Sequence, residues 1–123
     1  MGLDQYAHVR FPKKGYTDPI TFVVWRKHNR LHGWMENLYR ERGGDDVFNT
    51  ETELPLSIED IDDLERDIVQ GDLPQTSGFF FGSDSYEHYA NPEYGDKRID
   101  EEFIGKARNC IAHGGEVTYT SWW

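Results

Sequence analysis

At 123 residues and a formal net charge of −10, the chain has room for one domain and one core, and its excess of acid repels a phosphate backbone. Its single cysteine, Cys110, excludes an intrachain disulfide, and no apolar run approaches the roughly 20 residues that a membrane helix requires. The start, MGLDQYAHVR, lacks the basic-then-apolar pattern of a signal peptide, and Tyr6 stands where a myristoylation signal wants Ser or Thr. A cytoplasmic location is therefore expected, with neither nucleic acid nor membrane as partner.

Rings make up 15% of the chain, while hydrophobic residues of all kinds reach only 37%. A core short of aliphatics is built from aromatics, and rings left at the surface serve as anchors for a partner.

The first segment, LDQYAHVRF, alternates as a half-buried strand does. Leu3, Ala7, Val9 and Phe11 fall on one side; Asp4, Tyr6, His8 and Arg10 fall on the other. Pro12, Gly15 and Asp18-Pro19 predict a loop. From Thr21 the run ITFVVW is β-branched and compatible with a short strand. Val24, His28, Leu31, Met35 and Leu38 then recur at helical spacing, which predicts a helix over about 25–41, stopped by Gly43-Gly44. GGDDVFNTETELP reads as a loop. Ser57 and Asp60 have capping-box spacing, Leu56 and Ile61 form a hydrophobic staple, and Ile61, Leu64 and Ile68 make the buried stripe of a helix over 57–70.

FFF between Gly78 and Gly82 reads as a short strand, with Phe79 and Phe81 on one side and Phe80 on the other. Asp84 with Glu87 opens a short helix that ends by Pro92. Asp100 is the expected cap of a third helix, over 100–113, with Phe103, Ile104, Ala107, Cys110 and Ile111 inward. EVTYTSWW closes the chain as a strand. The expectation is a single α+β domain over 1–123: a short, mainly antiparallel sheet that includes both terminal strands, with about three helices packed on it.

The densest polar cluster is WRKHNRLHGW, Trp25 to Trp34. Arg26 and Lys27 at a helix start would meet an anion together with free backbone N–H groups, with Trp25 or Trp34 as a stacking wall. His28 and His32 have the spacing of a zinc pair, but Asn29 stands where a metalloprotease needs Glu and no further ligand pair follows, so no metal is expected. His28 on the core stripe reads as a buried, hydrogen-bonded histidine. Cys110 on an apolar stripe reads as inert packing. Neither a nucleophile elbow nor a phosphate-binding glycine loop is present, so no catalytic residue is assigned and no cofactor is expected.

GLDQY near the start, WRKHNRLHGW, LPQTSGFFFGSDSYEHY and the ending YTSWW together resemble a family of short bacteriophage-encoded proteins, some of which carry the label phosphoglycerate kinase. That label implies two large α/β lobes joined by a hinge, several times too long for this chain. The resemblance implies a phage origin and the cytoplasm of an infected host, and it carries over no catalytic residue. If the shared segments mark a working surface, its residues are Asp4, Tyr6, Trp25, Arg26, Lys27, Asn29, His32, Trp34, Thr76, Ser77, Phe79, Phe80, Phe81 and Ser83. The same residues also suit the core of a ring-packed fold. The leading expectation is a small binding or regulatory protein that modulates a host enzyme, pathway or defence component. The alternatives are a binder or processor of a small anionic metabolite or nucleotide, and an acidic mimic of DNA.

Overall fold

The computed structural model of the chain describes residues 3–48, 52–74, 89–93 and 95–122. Among them lie, in chain order, β1 (Asp4–Phe11), β2 (Tyr16–Arg26), α1 (Asn29–Glu41), β3 (Leu54–Leu56), α2 (Ile58–Gln70), α3 (Lys97–Ala112) and β4 (Glu116–Trp122). The strands form one antiparallel sheet in the order β2-β1-β4-β3. The first and last strands are direct neighbours, with Asp4 opposite Trp122 and Arg10 opposite Glu116. This is the expected α+β domain with both terminal strands in one sheet.

The alternation in the first segment sets which face is buried. Leu3, Gln5, Ala7 and Val9 are buried, and register places Ala7 beside Val23 and Tyr119, and Val9 beside Val117. Leu54 and Leu56 of β3 join the same face opposite Tyr119 and Val117. Onto it α1 brings Leu31 and Met35, α2 brings Ile61, Leu64 and Ile68, and α3 brings Phe103, Ile104 and Ala107. Each such side chain, fully withdrawn from water, contributes on the order of 1.5–3 kcal/mol. Rings carry much of the packing: Trp25 meets Phe103 edge-on at 5.1 Å between centroids, and Phe48 stacks on Tyr119 at 5.9 Å.

Three boundaries differ from the sequence expectation. First, residues 25–27 are not helical. The strand begins at Tyr16, takes in Asp18-Pro19 and runs through Trp25 to Arg26, and α1 starts only at Asn29. Proline is tolerated in β2 because the strand lies at the sheet edge. Lys27 makes the corner with φ +56°, a left-handed conformation uncommon outside glycine, and its N–H bonds Leu3 O at 2.8 Å. Second, the α3 cap is Asp96, one turn before the expected Asp100, which lies inside the helix and is buried. Third, β3 falls where a loop was expected; Leu54 and Leu56 point inward around an exposed Pro55. The expected strand at Phe79, Phe80 and Phe81 and the short helix begun by Asp84 lie outside the described residues.

The start of α2 follows its sequence signature. Ser57 Oγ accepts the Asp60 N–H at 3.2 Å, and the Asp60 carboxylate accepts the Ser57 N–H at 2.9 Å. Arg42 also pairs with that carboxylate. Burial works against the Asp60 charge, but these donors outweigh it and hold its pKa below the usual range. Gly71 ends the helix with φ +71°. Ser57→Ala should lower the unfolding free energy by about 1 kcal/mol, measured by urea denaturation with an unchanged m-value.

Candidate functional site

Polar residues gather in two places: a buried chain beneath the sheet, and the opposite, outer face of the sheet. The buried chain begins at Gln5. Its Oε1 accepts the His28 N–H at 2.8 Å, and its Nε2 donates both to His28 O at 2.9 Å and to the Tyr119 hydroxyl at 3.1 Å. The Tyr119 hydroxyl, already an acceptor, turns its proton to His32 Nδ1 at 2.9 Å. That order of donors suits a neutral His32, whose pKa is pushed down to about 4 by burial. Burial likewise pushes the Tyr119 phenol upward, against a lowering bond from Gln5.

Past His28 the chain reaches α3. Asp100 accepts the Trp25 indole N–H at 2.9 Å on one oxygen, and His28 Nε2–H at 2.7 Å and the Tyr89 hydroxyl at 2.5 Å on the other. His28 Nδ1 lies 3.7 Å from an Asp96 oxygen, and Asp96 caps α3 by position, without a side-chain bond to the helix. His28 is thus the buried, hydrogen-bonded histidine its place on the stripe suggested. The zinc-like pair comes apart: His28 faces carboxylates on α3, while His32 faces Tyr119 on β4. Among the described residues no group of three His, Cys, Asp or Glu side chains is arranged to hold a metal ion.

These contacts redistribute the expected site residues. Trp25, Asn29 and His32 are buried. Trp34 is half-buried and donates its indole N–H to Asp67 at 2.8 Å, joining α1 to α2 beside a groove of about 290 Å³ whose carboxylates Asp63 and Asp67 also meet Arg66. Arg26 and Lys27 precede the α1 cap, His28, rather than lying in the first turn, and Trp25 turns inward from them. Arg26 instead pairs across the strands with Asp4 at 3.4 Å. Thr76, Ser77, Phe79, Phe80, Phe81 and Ser83 lie outside the described residues. Cys110 sits partly buried against the core, and burial pushes its thiol pKa up, away from nucleophilic use.

Asp4, Tyr6 and Arg26 do come together, on the outer face of the sheet. There register places Tyr6 between Val24 and Thr120, His8 beside Thr118, and Asp4 between Arg26 and Trp122. Tyr6 and His8 stack at 6.2 Å. Val24 is 52% exposed and Trp122 60%. None of these residues belongs to the hydrophobic core, which takes its strand residues from the opposite face, though Thr118 and Thr120 are themselves buried between their neighbours. Ion pairs stand at the two ends of this face: Asp4 with Arg26 at one, and Arg10 with Glu53 through two bonds of 3.0 and 3.1 Å at the other. The alternation placed Tyr6 and His8 here, but Val24 had been read as helical, and Trp122 depended on the register of the last strand.

No family model, curated protein or solved structure matches the chain. Among the described residues no helix is long and apolar enough to cross a membrane.

His32 links the buried chain to pH. The unfolded chain binds a proton at an imidazole near pH 6.5, which the folded chain refuses until about pH 4. Stability contributed at this site is therefore complete above pH 6.5, falls as the pH drops toward 4, and levels off below. The loss should reach about 3 kcal/mol, and His32→Gln, which cannot titrate, should show a shallower acid limb in urea midpoints measured from pH 7 to pH 4.

Proposed function

We propose that this is a small phage-encoded binding protein that modulates a host protein, with the outer face of the sheet as its contact surface. The observation that carries this reading is the sidedness of the sheet. One core lies under one face, and the other presents Tyr6, Val24 and Trp122 between ion pairs that already satisfy their charges. Exposed aromatic area with a polar rim is the usual chemistry of a protein contact. In a chain of −10, charge repels most cellular polyanions, whereas a patch of internally paired charge accepts a neutral protein face without leaving a charge unmatched.

Reading the chain as a metabolite binder has less support. Its expected anion site required Arg26, Lys27 and Trp25 around a helix start, and α1 begins at the buried Asn29 with His28 held by α3.

The test is affinity capture from host lysate with wild type, Trp122→Ala and Val24→Thr, with bound proteins identified by mass spectrometry. Both side chains are outside the core, so the variants should unfold near the wild-type midpoint. One host protein should be enriched by wild type and fall at least about tenfold with Trp122→Ala. Equal capture by all three chains, or only a co-purified small molecule, would count against the sheet face.

A further inference from the structure

The outer face ends at a strand edge, and that edge differs chemically from the rest of the molecule. Among the described residues β2 is the terminal strand of the sheet on its side. Lys27 N–H bonds Leu3 O, and the same register pairs Gln5 with Trp25 and Ala7 with Val23. Bonding alternates along an antiparallel ladder, so Trp25 and Val23 turn their backbone groups to β1. The N–H and C=O of Val24 and Arg26 therefore point away from the sheet. Their side chains are exposed, with Arg26 83% open to solvent. A register shift between Ala7 and His8 interrupts the ladder at Phe22, which confines the regular edge to the stretch from Val23 to Arg26.

Charge sorts along the same segment. Residues 10–27 hold five bases, Arg10, Lys13, Lys14, Arg26 and Lys27, against one acid, Asp18; with Arg10 paired to Glu53 and Arg26 to Asp4, Lys13, Lys14 and Lys27 still outnumber Asp18 within a chain of −10. Lys13 and Lys14 sit at the tip of the β1–β2 hairpin, and Arg26 and Lys27 at the far end of the strand, so bases bracket the edge. Between them Ile20 and Val24 are about half exposed, and Tyr16 more so.

We propose that the β2 edge receives an extended, acidic peptide segment of a partner protein as a fifth strand. This deepens the binding reading above and rests on it. Main-chain bonds to Val24 and Arg26 would hold the segment, its carboxylates would meet the flanking bases, and its apolar residues would lie along Val24 on the outer face. A second copy of this chain is the wrong occupant, because two antiparallel β2 edges would bring their flanking bases, Lys13 and Lys14 against Lys27, together, and like charges repel.

The probe is a synthetic peptide of alternating glutamate and valine, about eight residues long, the length of an ordinary strand. Two controls accompany it: a lysine–valine peptide, and a glutamate–valine peptide methylated at alternate backbone nitrogens. Binding is followed by amide hydrogen exchange and by titration in two-dimensional NMR. The glutamate–valine peptide should slow exchange at Val24 and Arg26 by about tenfold or more near saturation, since both amides pass from water to a ladder bond. The double variant Lys13→Glu, Lys27→Glu should weaken binding about tenfold, and both control peptides should fail. Absence of binding at millimolar peptide, protection elsewhere than the edge, or equal binding by the methylated peptide would overturn the proposal. Loss of host capture in Trp122→Ala alongside any of those results removes the edge and leaves the sheet-face reading standing. Edge protection with host capture unaffected by Trp122→Ala does the reverse.

Discussion

A carboxylate taken out of water loses several kcal/mol of solvation unless donors replace the solvent, and Asp100 is 1% exposed. Its replacements are the Trp25 indole from the end of β2, the His28 ring from the cap of α1, and the Tyr89 hydroxyl from the connection before α3. Three separate pieces of chain must therefore meet at one side chain. This requirement explains the local geometry better than any propensity does. Trp25 reaches Asp100 from a strand, so β2 continues to Arg26. His28 reaches it from the next residue pair, which leaves Lys27 alone to turn the chain, and a left-handed backbone does so in one residue. Gln5 then holds both backbone groups of His28 and fixes the corner to the central strand.

The same constraint divides the aromatic residues between two roles. Trp25, Phe48, Phe103 and Tyr119 are drawn inward, where rings fill a core poor in aliphatics and the two with polar atoms find partners. Tyr6 and Trp122 are left on the far side of the sheet, where nothing in the core calls for them. Surface ion pairs are individually worth little in stability. On the outer face their use is different: they neutralise the ends of a ring-bearing patch within an acidic chain. The helices are tied to one another by Arg108 to Asp62 and Glu65, and by Trp34 to Asp67, well away from that patch.

Local signals were legible wherever a single period acted alone. Residues 3–11 alternate with Gln5 as the one polar residue on the inward side, and Ser57 with Asp60 names a helix start within four residues; strand and helix are both present there. Between 21 and 38 two periods overlap. Val24, His28 and Leu31 recur at helical spacing, Val23 and Trp25 at strand spacing, and no Ser, Thr or Asp cap stands between residues 22 and 38 to decide between them. What decides is Asp100, 75 residues from Trp25, a distance no window spans. Asp100 was misread for a related reason, since an aspartate before an apolar run has the look of a cap, and only its buried donors show otherwise. The candidate site suffered more than the fold, because Asp4, Tyr6 and Arg26 become neighbours of Trp122 only through strand register.

The central place of β1 also governs how the molecule is made. β1 and β2 lie next to each other in sequence and can pair as soon as they are synthesised, but the other flank of β1 waits for β4, synthesised after every other described element. During translation that flank is an open strand edge bearing Ala7 and Val9, destined for the core and temporarily without cover. Closing the sheet joins residues more than a hundred positions apart, which makes assembly slow relative to helix formation and places its last step after the helices have formed.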